Sequence, residues 1–408
     1  MLNKLVTPLV WFLTLHAWPA TYYVSTNGLS TNSGTSTNSP WPIAYAFLHI
    51  AAGDTVKAMP GTYTNQIIIR TDNTTFTTQA GKWSVKIKGW GATGNCISVW
   101  PPPRTGAIID GLEVDHSPSE GIQLYASNSI IRNCWIHDSG AVPGVNIGSG
   151  VVFNRAYYSN IVENCLLENN GYSMGFDHGI YAAGTNCIFR NNVCRSNRGL
   201  GISLYMGDGG INGCQVYGNL IYGNAGRVDL GKAWQLGVNN VHATTTAVTN
   251  WVFGNTIIGT NQYLLFVQYG AVGYTNNILI CPSGNAFDVG TSGTVFGDYN
   301  LAKQTLLTAG THDVISATYG FVNSGHGLYW IASASAARGH ALASVHGPVD
   351  FFGNTQSGVS DIGAFQYSPA YAGDMRVLDP SSVAGANYWL YPLILPSAPT
   401  NLKISKEL

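Results

Sequence analysis

Side chains suited to acid–base chemistry gather between residues 177 and 234 of a chain in which only 10% of residues are charged. The cluster holds two carboxylates, one imidazole, four cations and three aromatic rings: Asp177, His178, Tyr181, Arg195, Arg198, Tyr205, Asp208, Arg227, Lys232 and Trp234. β-Elimination at a uronate needs a base for the α proton, a cation for the carboxylate and an acid for the leaving oxygen. We expect His178 or Lys232 to be the base. Arg195 or Arg198 would neutralise the carboxylate, and Tyr181 would be the acid.

The same cluster also has binding and structural interpretations. Four members are predicted to contact substrate: Tyr205, Asp208, Arg227 and Trp234. Asp177 could instead cap its own turn through an Asx interaction, and His178 could hydrogen-bond to the neighbouring turn. The arginines and Lys232 could lie on a solvated surface.

A second polar group precedes the first, and it allows a different reaction. Asp115, His137 and Glu168 lie at equivalent turn positions of successive repeats. A glycoside hydrolase needs two carboxylates that flank the scissile bond, and the available pairs are Asp177 with Asp208 or Asp115 with Glu168. His137 and Glu168 are also predicted to bind substrate. The structural alternative is a ladder of polar residues on the outside of the fold.

Four copies of an eight-residue cassette indicate the fold that holds these groups in place. Each copy reads Asn, four residues, Asn or Asp, one residue, Gly, and each starts 27 to 31 residues after the last: Asn133-Asp138-Gly140, Asn164-Asn169-Gly171, Asn192-Asn197-Gly199 and Asn219-Asn224-Gly226. A Gly-led apolar strand and a second short apolar stretch complete each repeat. Three short strands per repeat, with Asn and Gly at the bends, predict a right-handed parallel β-helix. A sandwich of hairpins would need two-residue turns at regular spacing, which this repeat does not supply.

Stacked strands lie about 4.8 Å apart, so repeat number converts to distance. On this basis His178 and Lys232 would share a column, two rungs and about 10 Å apart. Asp115 and Glu168 would be separated by about 9–10 Å. The turn before each Gly strand is minimal at Gly199-Leu200 and longer in the neighbouring repeats. We therefore predict a notch on that edge of the coil, bounded by residues 171–178 and 226–232, with the first cluster around it.

Composition limits the remaining possibilities. The formal net charge is −1, which gives no global field to attract nucleic acid or anionic membranes. There are seven cysteines without CxxC spacing, which favours buried free thiols over a disulfide framework or a zinc site. Cys134 and Cys165 are expected to stack in one column. We expect a monomer, with polysaccharide as its partner.

The predicted organisation is a single elongated domain. Residues 1–20 have a lone Lys4, an apolar core and small residues, which predicts a secretory signal and hence an extracellular or periplasmic protein. Residues 21–54 would form a strand, a loop and an amphipathic capping helix over 42–52. Residues 55–300 would form the coils that carry the site. Residues 301–370 would form irregular coils and a closing segment, and residues 371–408 a linker-like extension.

The two ends of the chain resemble those of a known group. The opening YYVSTNG…NSGTSTNSPWPIAYAF…AAGDTVKAMPGTYT and the closing DFFGN…DIGAFQY are similar to secreted bacterial pectate-lyase-like β-helix proteins. The resemblance spans nearly the whole chain after residue 20. It implies the fold and a carbohydrate-active role, but the group includes polysaccharide lyases, glycoside hydrolases, epimerases and proteins without known activity. A glycan-binding or surface-structural β-helix is therefore the non-enzymatic alternative to a lyase.

The resemblance also implies calcium, because calcium is common among such enzymes and would take oxygen ligands from several rungs. Asp138 and Glu168 are the candidate ligands, and Asp177 could contribute. Asp138 has a structural alternative as the Asx residue of its cassette.

Overall fold

A computed structural model describes residues 18–89, 91, 93–140, 148–172, 175–206, 211–227, 230–240, 249–260, 262–282, 284–303, 310–324, 328–351, 355–356 and 360–368. In chain order the strands are β1 (Thr21–Val24), β2 (Thr55–Ala58), β3 (Gly61–Tyr63), β4 (Ile67–Ile69), β5 (Thr75–Thr78), β6 (Val85–Lys88), β7 (Ile97–Thr105), β8 (Ile108–Asp110), β9 (Glu113–Asp115), β10 (Ile122–Ser127), β11 (Ile130–Arg132), β12 (Trp135–His137), β13 (Val151–Tyr158), β14 (Ile161–Glu163), β15 (Leu166–Glu168), β16 (Ile180–Thr185), β17 (Ile188–Arg190), β18 (Val193–Arg195), β19 (Ile202–Met206), β20 (Gln215–Tyr217), β21 (Leu220–Tyr222), β22 (Leu236–Asn240), β23 (Thr249–Phe253), β24 (Thr256–Ile258), β25 (Leu265–Thr275), β26 (Ile278–Ile280), β27 (Phe287–Asp298), β28 (Leu301–Ala302), β29 (Val314–Ile315), β30 (Phe321–Asn323) and β31 (Leu328–Ile331).

The strands follow one another around a coil with three faces. Face 1 contains β1, β2, β5, β8, β11, β14, β17, β20, β23 and the second halves of β25 and β27. Face 2 contains β3, β6, β9, β12, β15, β18, β21, β24, β26, β28 and β29. Face 3 contains β4, β7, β10, β13, β16, β19, β22 and the first halves of β25 and β27. Every pairing within the coil is parallel, which confirms a β-helix with three strands per turn.

Alternation of side chains along each strand fills the interior. On face 3 the inward positions form one buried apolar column: Ile97, Ile122, Val151, Ile180, Ile202, Leu236, Leu265 and Phe287. Because every second residue of a strand points inward, each short strand adds one or two apolar side chains to a continuous core.

Asparagine ladders stabilise the bends of the coil. Between faces 1 and 2 the ladder contains Asn192, Asn219, Asn255, Asn277 and Asn300, and all five are fully buried. The Nδ2 of Asn219 donates to the carbonyl of Phe189 at 2.8 Å, and its Oδ1 accepts from the backbone N–H of Asn192 at 2.9 Å. A shorter ladder between faces 2 and 3 contains Asn170, Asn197 and Asn224 and ends at Gln235. The side-chain amides thus satisfy backbone groups that the turns leave unpaired.

The cassette alignment shifts by one residue between its second and third copies. Leu166 pairs with Val193, which places Asn191 opposite Asn164 and Asn192 opposite Cys165. Asn164 and Asn191 share a left-handed backbone, with φ of 54° for each, whereas Asn192 belongs to the ladder. The predicted cassette therefore combined two neighbouring columns, since both favour Asn for different reasons: tolerance of positive φ and amide stacking.

A short helix lies near the start of the coil. Helix α1 spans Ile43–His49, which is shorter than the predicted 42–52, because Ile50 has extended backbone with ψ of 152°. Its buried face includes Phe47, whose ring lies 5.1 Å from that of Phe76 in an edge-to-face arrangement. That this helix covers the open end of the coil stays a prediction. No helix within the described ranges is long and apolar enough to cross a membrane.

The C-terminal segment, here residues 328–367, packs against the side of the coil. Trp330, Phe351 and Phe365 form a buried cluster with the outward side chains of face 2 at Leu166, Val193 and Leu220. Further along, Val345 packs with Tyr217 and Phe253 of face 1. The described part of residues 350–367, which was expected to close the end of the coil, contacts outward positions of face 2. Residues 371–408 lie outside the described ranges.

The cysteines are buried inside the coil. All seven are free thiols. Cys134 and Cys165 follow one another in a column, as expected, and burial together with its hydrogen bond to Cys134 raises the pKa of the Cys165 thiol. They pack as small apolar side chains.

Candidate functional site

The carboxylate of Asp177 is used by its own turn. The residue is 1% exposed, and its Oδ2 accepts a hydrogen bond from the backbone N–H of Tyr172 at 2.8 Å. Its Oδ1 accepts from the backbone N–H of Gly148 on the preceding rung at 3.0 Å. Asp177 therefore joins two turns, as its structural alternative predicted, and these bonds hold the predicted catalytic carboxylate in the scaffold. Asp208, its predicted hydrolytic partner, lies outside the described residues.

His178 is held by the minimal turn beside it. Its Nδ1 accepts a hydrogen bond from the backbone N–H of Leu200 at 2.9 Å, and the ring is almost completely buried. Burial lowers its pKa to about 3, so the ring is neutral at physiological pH. Because Nδ1 is an acceptor in the neutral ring, the hydrogen is on Nε2. These contacts fit a positioning residue and argue against the base role expected for His178.

The column predicted for His178 and Lys232 is corrected by the strand pairing. Ile180 pairs with Ile202, and Ile202 pairs with Leu236. Counting back two residues on each strand places Trp234, not Lys232, in the column of His178. The prediction was wrong because the 226–232 turn contains two more residues before its strand than the comparison of repeats assumed.

Lys232 lies on the edge of face 3 in a defined setting. Its Nζ forms an ion pair with Asp288 at 2.8 Å and lies 5.2 Å from the ring centre of Trp234 and 5.6 Å from that of Tyr263. Trp234 donates from Nε1 to the same Asp288 oxygen at 3.0 Å. Asp288 was missed from the sequence, because it lies 56 residues away and only the stacking of β22, β25 and β27 brings it to this edge.

The notch contains further cations. Arg198 is exposed beside the minimal turn, and Arg227 packs its side chain against Gly175 in the loop on the other side. Arg227 and Lys232 are joined by a pair of backbone hydrogen bonds of 2.9 and 3.0 Å, which makes their turn a tight loop. Gly199 allows the minimal turn, since a Cβ there would lie 2.4 Å from the carbonyl oxygen of Asp177. Arg198, beside the short turn, and Arg227 and Lys232, in the loop of the following rung, therefore lie at one edge of the coil.

Aromatic rings continue from the notch onto face 3. Tyr181 lies 5.8 Å from His178 and 6.0 Å from Tyr205 between ring centres, and Tyr205 is 36% exposed. The ring of Trp234 stacks on that of Phe266 at 4.1 Å. A second aromatic group, on earlier rungs, consists of Trp100, Tyr125 and Tyr157. Rings of this kind can stack on the faces of sugars, so Tyr181, Tyr205 and Trp234 lie where a glycan could contact them.

Arg195 has a different environment from the one expected. Its Nε donates to Glu168 at 2.6 Å, and its Nη1 donates to the hydroxyl of Tyr222 at 3.1 Å. An equivalent triad five residues earlier on face 1 joins Arg190 to Glu163 and Tyr217. Because the same three residue types recur on two faces of the same rungs, Arg195 belongs to a structural ladder and is not free to neutralise a substrate carboxylate.

Glu168, His137 and Asp115 occupy one outward column of face 2. The pairing confirms that Asp115 and Glu168 are two rungs apart, with His137 between them. All three are less than 9% exposed, and Glu168 accepts hydrogen bonds from both Trp135 and Arg195. This burial matches the polar ladder that was the structural alternative. It leaves little surface for the substrate contacts predicted at His137 and Glu168, or for hydrolysis by Asp115 and Glu168.

His137 is the centre of an ion-pair network. Nδ1 contacts Asp138 at 2.7 Å, and Nε2 contacts Glu113 at 3.2 Å. Burial opposes its charge, but these two hydrogen bonds and the charge of Asp115 raise its pKa to about 9. Glu113 also pairs with Lys86 at 2.7 Å. Neither Glu113 nor Lys86 was singled out from the sequence, although both alternate with core residues on face 2 strands.

The candidate calcium ligands do not form a calcium site. Calcium takes six to eight oxygen ligands. Both oxygens of Glu168 already accept hydrogen bonds, and Asp138 is joined to an imidazole nitrogen of His137. Asp177 binds two backbone N–H groups. Within the described part of the chain, these residues do not supply an oxygen shell.

Comparison with known proteins identifies the architecture. A family model described as a right handed beta helix region matches residues 84–250. Pectate lyase L of Dickeya dadantii (strain 3937) is 26% identical over 167 residues, which cover 37% of this chain and 39% of that protein. The match thus spans about two fifths of the length of this curated relative.

Solved structures extend the similarity of fold. A pectate lyase named Pel9A superposes with a TM-score of 0.56 at 14% identity, covering 86% of this chain and 97% of that one. A rhamnogalacturonan lyase superposes with a TM-score of 0.53 at 14% identity, covering 73% and 87% of the two chains. Sequence identity this low shows a shared fold.

Proposed function

We propose that this protein, a pectate-lyase-like right-handed β-helix protein, cleaves a polysaccharide containing uronic acid by β-elimination. The glycan would lie along face 3 and be cleaved at the notch. The curated relative is named a pectate lyase, which supports this reaction class. Export would bring the enzyme to such a substrate, as residues 1–20 predict.

The observation that carries the proposal is the open aromatic face beside three cations. The described contacts of the C-terminal segment fall on faces 1 and 2 and on the turn between them. Face 3 keeps Tyr205 exposed, Tyr181 is half-buried on the rung before it, and Trp234 is half-buried at the start of the rung after it. Aromatic rings hold sugar faces, and cations at the edge of the rings can bind and neutralise carboxylates.

The roles follow from which side chains are accessible. Arg198 is the exposed guanidinium of the notch and would neutralise the uronate carboxylate, which acidifies the α proton. Lys232, as the neutral amine, would remove that proton and become the ammonium, with Asp288 and two rings fixing the position of its Nζ. Tyr181 would protonate the leaving oxygen. Arg227 would bind a neighbouring sugar, and His178 would hold the minimal turn.

Hydrolysis is the weaker candidate. A hydrolase needs two carboxyl groups that face the scissile bond. Asp177, Asp115 and Glu168 are buried and bonded within the protein. The cationic notch therefore favours elimination over hydrolysis.

The test is incubation with a panel of uronic-acid polysaccharides, read by the ultraviolet absorbance of the unsaturated product. Lys232→Ala should lower the rate by at least about 100-fold if Lys232 transfers a proton. Arg198→Ala should lower it by about 100- to 1000-fold through lost charge stabilisation. The matched controls are Lys57→Ala on face 1 and Arg70→Ala at an exposed turn, which should keep the wild-type rate.

The alternatives give distinct results in the same experiment. New reducing ends without ultraviolet absorbance would identify a hydrolase and contradict the elimination. Binding to glycan without any cleavage would identify a non-catalytic β-helix. Equal rates for wild type, Arg198→Ala and Lys232→Ala would place the reaction outside the notch.

A further inference from the structure

Two carboxylates and two imidazoles alternate on adjacent rungs at the end of face 2. One rung ends in Asp115-His116 and the next in His137-Asp138, and parallel pairing places Asp115 opposite His137. His116 and Asp138 then occupy the next column, where both have positive φ, of 52° and 54°. The coil thus brings together an Asp-His and a His-Asp dipeptide that are 22 residues apart in the sequence. Their four side chains, all of types that bind metals, are neighbours on two adjacent rungs.

The potential ligand atoms converge. The Nδ1 of His137 lies 2.7 Å from Asp138 Oδ2 and 3.6 Å from Asp115 Oδ1, and the ligand atoms of the three residues lie within 4.8 Å of one another. Ligand atoms about 2.0–2.1 Å from a tetrahedral metal ion are about 3.3 Å apart. His116 reaches the same place, since its Nδ1 hydrogen-bonds with Asp115 Oδ1. Only small movements are needed to place one ion among them.

The surroundings of His137 match the second shell of a metal site. Its Nε2 contacts Glu113, whose Oε1 is itself fixed by Lys86 at 2.7 Å. A metal-bound histidine usually donates its other N–H to a carboxylate, which leaves the opposite nitrogen free for the ion. Trp135 stacks on the ring at 4.1 Å between centres and sets its plane. Nδ1 is therefore the nitrogen that faces Asp115 and Asp138.

Charge and access fit a divalent cation. Three carboxylates, on Glu113, Asp115 and Asp138, face one ammonium, on Lys86, and the two remaining negative charges would balance a divalent ion bound in place of the proton on His137 Nδ1. The side chains of Asp115 and His137 are 5% and 9% exposed, whereas that of Asp138 is 37% exposed. An ion could enter past Asp138 and bind the two buried ligands behind it.

We propose that Asp115, His137 and Asp138 bind one divalent transition-metal ion of the zinc class, with His116 as a fourth ligand on the open side. Imidazole nitrogen with carboxylate suits zinc and its neighbours, whereas calcium requires oxygen ligands. The site replaces the calcium that the fold resemblance implied. It is independent of the proposed lyase reaction, because the ligands lie on rungs before the notch.

The test is isothermal titration calorimetry of the tag-free full chain with ZnCl₂ and, separately, CaCl₂. Zn²⁺ should bind with a stoichiometry of one ion per chain, and Ca²⁺ should bind more weakly. Co²⁺ should give visible absorption bands characteristic of a nitrogen- and oxygen-ligated ion. Asp138→Asn should weaken Zn²⁺ binding by at least about 10-fold, and Glu113→Gln, which removes the carboxylate that contacts His137 Nε2 and pairs with Lys86, by about 10- to 100-fold.

The variants are chosen to preserve the fold. Asn tolerates the positive φ of position 138. Asp110→Asn is the matched control, because Asp110 lies on face 1 of the same turn and pairs with Arg132. The control should bind Zn²⁺ like wild type. Equal Zn²⁺ binding by wild type and Asp138→Asn, or tighter binding of Ca²⁺ than of Zn²⁺ by wild type, would overturn the proposal.

Discussion

Arg195 and Arg198 are three residues apart in the sequence, yet the coil gives them different surroundings. Arg195 ends a strand, so its side chain joins Glu168 and Tyr222 in an outward column. Arg198 lies in the following turn and is exposed at the notch. Residue type alone did not separate these roles. The position of each residue relative to the end of its strand did.

Protonation of His178 should make the stability of the protein depend on pH. Its pKa is about 3 in the folded protein and about 6.5 in the unfolded chain, so only the unfolded chain gains this proton between those pH values. Stability should therefore be unaffected above about pH 6.5 and should fall by up to about 1.4 kcal/mol per pH unit as the pH drops from 6.5 towards 3. His178→Asn should lose this dependence and keep an oxygen acceptor for Leu200.

The free energy of unfolding is measured by urea denaturation at several pH values from about 7 to about 4, which covers most of the interval between the two pKa values. His49→Asn on the exposed side of α1 is the control and should follow the wild type. If His178→Asn and wild type lose stability in parallel, His178 is not held neutral by burial.

The stability of the coil depends on its turns, where side chains form the hydrogen bonds that backbone groups cannot form with one another. The strands of faces 1 and 2 contain mostly three residues, too few to be stable without their neighbours. The ladder residue Asn219, for example, satisfies a carbonyl and an N–H of the preceding rung, at Phe189 and Asn192, and also donates to the carbonyl of Tyr217 in its own coil. The ladder therefore sets both the bend and the spacing of the rungs, and through them the positions of the notch loops.

Removing one ladder residue should be costly. Asn219→Ala would leave the carbonyl of Phe189 and the N–H of Asn192 buried without their partners. Each unsatisfied group costs about 1–3 kcal/mol, so a loss of about 2–6 kcal/mol in the free energy of unfolding is expected. Asn65→Ala at an exposed turn should change it by less than about 0.5 kcal/mol. Both free energies of unfolding are measured by urea denaturation. Similar losses of stability in the two variants would mean that the ladder does not stabilise the coil.

At the scale of the whole molecule, the C-terminal segment determines which outward surfaces can meet a ligand. It buries outward residues of faces 1 and 2, and the same outward face 2 carries the Arg195 triad. Face 3 retains its aromatic surface. The three faces have similar strands, so whether a ligand can reach the outward side chains of a face depends on whether the C-terminal segment packs on it.

Weakening the packing of the C-terminal segment should lower the stability of that segment more than the stability of the coil. Phe365 is fully buried between Trp330 and Phe351, and Phe365→Ala should cost about 3–5 kcal/mol of local stability. Hydrogen exchange should then accelerate in the segment around residues 328–367, while the coil strands stay protected. Leu48→Ala, at an exposed residue of α1, is the control. Equal acceleration in segment and coil would show that they unfold as one unit.

The three-strand repeat, the bends, the minimal turn and the chemistry available at each rung could all be predicted from the sequence. These follow from short-range alternation and from the local preferences of Asn and Gly. The resemblance at both ends of the chain pointed to the same fold. Asp115, His137 and Glu168 were placed in one column correctly, because the intervening segments are regular.

Which side chains are accessible to a ligand depends on contacts that form only in the folded protein. A one-residue shift in the cassettes and two extra residues in the 226–232 turn changed the partners of Asn192 and Lys232. Asp288 and the C-terminal segment reach the coil from distant parts of the chain, so no local pattern could place them. Column position depends on the summed length of every turn, and exposure depends on what packs from outside. Both are long-range properties of the folded chain.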